Sequence, residues 1–320
     1  MRTIKLTYPH ILTLEELPET VCAIGFFDGI HKGHQKVIQT AIKKAKANQM
    51  ESAVITFHPH PSVVLDKGQP QVKYITPMRR KQEILQQLGV DRLYVISFNH
   101  ELASLTPQQF IDHFIIGLNI KHLVAGFDFT YGHKGQGNMD VIAEHAKGAF
   151  TYTTIDEVQL EQEKISSTKI RKLLASGDVE TVKTLLGRPL TVTGVVIKGD
   201  QRGQSIGYPT ANIQVMGDVL LPKSGVYAVK VVYRNECYEG MANLGTKPTF
   251  TDGESDRSLE VNILDYNNDL YGEELTIEWH TFIRDEIKFS GVSQLVEQIS
   301  QDEQRIRSYF LTKDRGEKES

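Results

Sequence analysis

The chain has 320 residues, long for one domain and sufficient for two that each bury a core. Its net charge of -4 argues against wrapping a polyanion, so no nucleic-acid partner is expected, although charge can still be focused in a local basic pocket. With two distant cysteines, Cys22 and Cys237, neither a disulfide framework nor a Cys-ligated zinc site is expected, and a reducing compartment fits.

The opening, "MRTIKLTYPHILTLEEL", lacks the apolar run of a signal peptide, and no stretch reaches the ~20 apolar residues of a membrane span. A soluble cytoplasmic protein without a membrane partner is the expectation. The first predicted strand is "VCAIGFF" (21–27), followed by helical spacing through Val37, Ile38, Ala41, Ile42 and Ala45. Strands are predicted at "SAVITF" (52–57), "RLYVIS" (92–97) and "HLVAGF" (122–127). Helical patterns lie between them, such as "PMRRKQEILQQLG", which ends on Gly89. This alternation predicts an α/β fold with a parallel sheet covered by helices.

Near residue 165 the pattern changes. "SSTKIRKLLASG" and "VETVKTLLG" read as two short helices, the second capped by Asp178, and Pro189 marks a boundary. Beyond it, "YAVKVVY" (227–233), "LEVNILDY" (259–266) and "LTIEWHTFI" (275–283) are rich in β-branched and aromatic residues. Val292, Val296, Ile299, Ile306 and Phe310 then share one helical face. The second half is predicted to be a small β-barrel with a terminal helix, and "TKDRGEKES" a charged, frayed tail. The domain assignment is therefore 1–186, 187–312 and a tail at 313–320.

"GFFDGIHKGH" (25–34) falls at the end of the first strand, where parallel α/β sheets bind ligands. Asp28-Gly29 makes a turn, Gly33 permits close approach of a ligand, and His34 opens a helix whose first amides favour anions. His31 and His34 can donate to phosphate oxygens as charge builds. A polar turn with a capping histidine is the plainer reading of the same string. Ser167 and Thr168 at a helix start, with Arg171 one turn on, offer hydroxyls, amides and a guanidinium to a triphosphate, or else an ordinary cap with a surface arginine.

The second half has no P-loop. "GVVIKGDQRGQSIGYPTAN" (194–212) carries Gly199, Gly203 and Gly207, so that a loop can lie close to phosphates. Thr210 and Asn212 are two apart and face the same way in an extended segment, a reasonable partial shell for Mg²⁺. Glu260 stands in an apolar strand, either facing solvent or functional.

Four segments of the first half, "GFFDGIHKGH", "TFHPHP" (56–61), "GFDFTYGHKGQG" (126–137) and "ISSTKIRKLLASGDVE" (165–180), resemble the bacterial bifunctional riboflavin kinase/FMN adenylyltransferases. "GYPTAN", "MANLGTKPTF", "LEVNILDY", "DLYG" and "FIRDE" follow in the order of riboflavin kinase domains. The resemblance implies a Rossmann-like nucleotidyltransferase domain and a six-stranded antiparallel barrel. It implies that Gly25, Phe27, Asp28, Gly33, Ser167, Thr168 and Arg171 carry ATP, with His31 and His34 at the reacting phosphates. His60 and Asp128 are the implied flavin residues of that domain, although His60 reads equally as a strand-end cap. In the barrel, the glycine loop with Thr210 and Asn212 would hold Mg-ATP, Arg284 would contact flavin, and Glu260 would be the general base.

The implied co-substrate is ATP with Mg²⁺, and the implied flavins are riboflavin, FMN and FAD. A monomer or weak homo-oligomer acting on small molecules is expected. Three residues depart from the family: Phe26, where Asn is frequent, Gln204 in place of an Arg, and Asn262 in place of a His. Competing classes are a tRNA-linked synthetase, which would need a basic surface or an anticodon domain, and a flavin sensor that has lost catalysis.

Overall fold

A computed structural model describes residues 1–65, 72–160, 163–199, 203, 206–246 and 257–318. Gln204 and the "KPTF" of the "MANLGTKPTF" segment lie outside the described residues. The chain forms two compact units, Met1–Ser167 and Thr168–Ser320.

The first unit is built on a six-stranded sheet, all parallel: β1 (Arg2–Leu6), β2 (Thr20–Ile24), β3 (Glu51–His58), β4 (Arg92–Ser97), β5 (Ile120–Gly126) and β6 (Thr151–Ile155). The order across the sheet is β1-β4-β3-β2-β5-β6. The connections leave β2 in one direction toward β3 and β4 and resume on its other side with β5, so the carboxyl end of β2 is the switch point where such sheets bind ligands. All of β2 is buried, as a central parallel strand requires. Helix α1 (Lys32–Ala47) buries Val37, Ile38, Ala41, Ile42 and Ala45, the face its spacing predicts. Helix α2 (Met78–Gln87) buries Lys81, Ile84 and Leu85 and is followed by Gly89 at φ 85°.

The predicted first strand is too long at its end. β2 stops at Ile24, because Phe27 takes a φ of 51° and Gly29 one of 92°, which no strand accommodates. The edge strand β1 was not among the predicted elements, its five residues being mostly exposed.

In the second unit, α3 (Ser167–Ser176) ends before Gly177 at φ 88°, and α4 (Val179–Leu186) is capped by Asp178, whose carboxylate accepts the Thr181 amide at 2.9 Å. Six antiparallel strands then close a barrel: β7 (Leu190–Ile197), β8 (Ala211–Val215), β9 (Gly225–Tyr233), β10 (Glu236–Thr246), β11 (Arg257–Ile263) and β12 (Glu274–Arg284). They are ordered β7-β8-β11-β10-β9-β12, with β12 returning to β7. Closure removes exposed sheet edges. Leu259 and Val261 are buried on one face of β11, while Glu260 alternates to the other.

Helix α5 (Val292–Lys318) packs Ile306 and Phe310 against Val226, Ala228 and Met241 of the barrel. It runs to Lys318, so the backbone is helical where a frayed tail was expected, in keeping with the Lys, Arg and Glu of that segment.

Candidate functional sites

In the first unit the segment from Gly25 to Ile30 leaves β2 and enters α1 through His31, the N-cap. Phe27 and Ile30 hold φ values of 51° and 42°, each costing on the order of 1–3 kcal/mol for a residue with a bulky side chain. Surrounding side chains over-determine this conformation. The Phe26 carbonyl accepts from Thr56 Oγ1 at 2.9 Å and from Lys81 Nζ at 2.6 Å. The Asp28 carboxylate accepts the Ile75 and Thr76 amides at 3.3 and 3.0 Å. Ser167 Oγ donates to the Asp28 carbonyl at 2.8 Å, and Gln35 Nε2 to the Ile30 carbonyl at 2.8 Å.

His31 is buried, and its Nδ1 accepts the His34 amide at 3.2 Å. In the neutral ring that bond places the proton on Nε2, making it a donor. The two imidazoles stack at 3.6 Å, and the Phe27 ring meets His34 edge-on at 5.3 Å. The nearest neighbour to a Cβ at Gly33 would be the His31 ring, at 3.1 Å, so this glycine makes room for the stack. A Cβ at Gly25 would lie 2.9 Å from the Phe27 ring. The strand end thus presents a rigid imidazole pair at the start of a sixteen-residue helix, whose amides favour an anion.

Of the expected flavin residues, His60 does act as a cap: its Nδ1 accepts the Ser62 amide at 3.2 Å, while its ring stands edge-on to Phe26 at 4.5 Å. Asp128 is largely exposed, 3.6 Å from Lys164 Nζ, which also lies 4.6 Å over the Phe127 ring. Ser167 is joined to the histidine loop through Asp28, whereas Thr168 and Arg171 belong to the second unit. There Arg171 lines a cavity of about 530 Å³ with Lys223 and Arg257.

The second unit contains a cavity of about 560 Å³ between the barrel wall and α5. Strand register explains its floor. Asn212 pairs with Glu260, Glu260 with Asn243, Asn243 with Val226, and Val226 with Arg284, one row across five strands. Cross-strand partners share a face, and Glu260, Asn243, Val226 and Arg284 of this row line the cavity. Thr210 Oγ1 lies 3.5 Å from Glu260 Oε2. A Cβ at Gly199 would fall 2.0 Å from Asn212 Nδ2, and one at Gly203 2.2 Å from the Tyr208 carbonyl, so both glycines are needed for the loop to close on its own chain. Gly207 takes a φ of 83°. Hydroxyl, amide and carboxylate oxygens beside a glycine cradle are the hard donors that Mg²⁺ takes.

Arg284 lines this cavity with its guanidinium already engaged. Nε donates to Asp302 Oδ2 at 2.8 Å, and Nη1 to the Asp285 carbonyl at 2.9 Å. Asn262, the departure from the family's His, is buried and donates to the Pro209 carbonyl at 2.7 Å, which secures the turn carrying Thr210.

Four residues at or beneath these sites carry no individual role in the sequence motifs: Lys81, Thr56, Asn243 and Asp302, of which Thr56 and Asn243 lie inside motif segments. Lys81 and Asp302 had a legible signal, since each is a charge on the apolar face of its helix. Lys81 lies three and four residues before Ile84 and Leu85, and Asp302 lies between Ile299 and Ile306. Asn243 needed the register of β10 against β11.

A doubly wound α/β unit with a histidine pair at its switch point, followed by a closed barrel with a carboxylate beside a glycine loop, is an arrangement suited to phosphorylated ligands. Comparison with known proteins is more specific. The FAD synthetase family model matches residues 13–169 and the riboflavin kinase model residues 186–310. The bifunctional riboflavin kinase/FMN adenylyltransferase of Bacillus subtilis is 47% identical over 97% of this chain and 98% of its own length. That of Escherichia coli K12 is 33% identical over 95% and 97%. A solved Streptococcus pneumoniae chain described as a macrolide-efflux protein is 37% identical, with a TM-score of 0.85, covering 95% of this chain and 98% of that one. The chain belongs to the bifunctional riboflavin kinase/FMN adenylyltransferase family. Among its described residues, no helix is long and apolar enough to cross a membrane.

Proposed function

We propose that this chain phosphorylates riboflavin with ATP, giving FMN and ADP, and then adenylylates FMN with a second ATP, giving FAD and pyrophosphate. The observation that carries this reading is that the two family matches cover the chain in tandem, each containing one of the constellations above. The activities divide at residues 186/187, and residues 313–320 form a charged tail outside both. The reaction takes place in the cytoplasm on small molecules, without nucleic acid or membrane, in a monomer or weak homo-oligomer.

In the kinase half, Glu260 accepts the proton of the riboflavin 5′-hydroxyl as that oxygen attacks the γ-phosphorus of ATP. Thr210 and Asn212 would hold Mg²⁺, which would supply neutralisation of phosphate charge. Gly199, Gly203 and Gly207 let the loop approach the phosphates. Arg284, anchored on Asp302, shapes the flavin end of the cavity.

In the adenylyltransferase half, the FMN phosphate attacks the α-phosphorus of ATP. Alignment and charge stabilisation are the main requirements, because no covalent intermediate is needed. His31 and His34 donate to the reacting phosphates from their fixed stack. Gly25, Phe27, Asp28 and Gly33 hold that loop in shape, and Ser167, Thr168 and Arg171 serve the β- and γ-phosphates. Asp128 and His60 bound the flavin. A flavin sensor without catalysis is not favoured, since the histidine pair and Glu260 lie within full-length matches to relatives named as enzymes.

Labelled ATP tests the scheme. With FMN supplied, label at the α-phosphorus should enter FAD; with riboflavin supplied, label at the γ-phosphorus should enter FMN. Failure of either label to enter flavin overturns the corresponding half.

A further inference from the structure

Lys81 is a lysine buried to 2% exposure within the first unit. Its ammonium donates to the Phe26 carbonyl at 2.6 Å and to Thr56 Oγ1 at 3.1 Å, and lies 4.8 Å from the centre of the Phe26 ring. Burying a charge this completely is unfavourable unless it is well hydrogen-bonded, and a methionine would fill the same space without that cost. The bond it makes is to the first peptide of the histidine loop. In a trans peptide, C=O and the following N–H point in opposite directions. Drawing the Phe26 carbonyl onto Lys81 therefore turns the Phe27 N–H away from the ammonium and holds Phe27 at its positive φ of 51°. Phe27 in turn supports the His34 ring edge-on.

We propose that Lys81 is a positioning residue for adenylyl transfer: its protonated form locks the Phe26–Phe27 peptide and so the His31–His34 stack against the phosphates. The proposal rests on the reading of this loop as the ATP-phosphate loop.

The charged environment makes the role testable by pH. Burial pulls Lys81 down from the ordinary lysine value to about 8, opposed by the attraction of Asp28 on the β2–α1 loop. Around it, β3 contributes Thr56, which does not titrate here, and the His60 and Tyr74 rings lie 4.5 and 6.1 Å from the Phe26 ring. On its own helix, Arg79 and Arg80 pair with Glu83. Deprotonation above pH 8 replaces the charge-assisted bond to the Phe26 carbonyl by the weaker one of a neutral amine, which also competes for the Thr56 hydroxyl as a hydrogen-bond acceptor. Adenylyl transfer should then fall while the fold does not weaken. A lysine with a lowered folded pKa binds fewer protons folded than unfolded between about pH 8 and 10.5, so its contribution to stability rises with pH over that window.

The experiment measures FAD formation from FMN and ATP for wild-type protein and Lys81→Met between pH 7 and 9.5, with riboflavin phosphorylation by the same samples as the internal control. The ratio removes the titration of substrates and histidines. The expected ratio of wild type to variant is about 30-fold at pH 7, shrinking several-fold by pH 9.5 as the charge is lost, with kinase activity alike in both. A ratio that stays constant across this range overturns the proposal, because a packing role would not titrate. If the methionine variant does not fold, Lys81→Arg replaces it, its charge persisting past about pH 12. It should lack the alkaline loss seen in wild type, and a parallel loss in both overturns the proposal. A wild-type protein that makes no FAD from FMN at any pH overturns instead the reading of the domain, and the proposal with it.

Discussion

The Asp302 carboxylate, on the terminal helix and fully buried, meets the Arg284 guanidinium of β12 at 2.8 Å. This pair fastens α5 to the barrel wall at the cavity, and Gln298 adds a bond to the other Asp302 oxygen at 3.0 Å. Replacing Asp302 with Ala leaves a nearly buried guanidinium without its counter-charge, at a cost of about 3–5 kcal/mol. Riboflavin affinity should fall with stability, while Glu260-dependent chemistry on bound flavin survives. Thermal unfolding and the KM for riboflavin, separated from kcat, check this.

His31→Ala should lower FAD formation by roughly 10²–10³, with FMN still accumulating from riboflavin. The loss combines a donor, the cap on α1 and half of the imidazole stack. An equal fall in FMN production by folded protein would contradict the assignment of the two reactions to separate domains.

Glu260→Gln should give the opposite phenotype. The amide keeps the shape and the strand row but cannot accept the hydroxyl proton, so phosphorylation of riboflavin should fall by about 10²–10⁴. FAD formation from supplied FMN should remain at the wild-type level.

Gly199→Ala places a methyl group 2.0 Å from the amide nitrogen of Asn212. The loop or the Asn212 side chain must move, so the KM for Mg-ATP in the kinase reaction should rise by about tenfold or more, a shift of 1.4 kcal/mol per decade. Titration of Mg²⁺ at fixed ATP checks it, and Gly207→Ala, with no heavy atom within 4 Å of its Cβ, serves as a control for backbone strain alone.

Much of the architecture was legible because its signals are local. The β4 strand matches its predicted limits, and α1, α4 and the buried face of α5 follow apolar spacing. The motif segments are legible in the sequence, but the contacts their residues make are not. The Asp28 carboxylate accepts the Ile75 and Thr76 amides, contacts across 47 and 48 positions of chain that no local motif announces. A Cβ at Gly33 would meet the His31 ring at 3.1 Å, a contact the sequence does not announce. The floor of the barrel cavity depends on the register of strands that lie out of sequence order. Lys81 and Asp302 interrupt apolar stripes, and each such charge on a buried face makes a hydrogen bond or ion pair beside a candidate site.

The central claim is that one chain carries both reactions in series. Purified protein incubated with riboflavin, ATP and Mg²⁺, with flavins separated by chromatography over time, should show FMN rising first and FAD following as FMN is consumed. Folded protein that binds riboflavin and yields neither product would contradict the account.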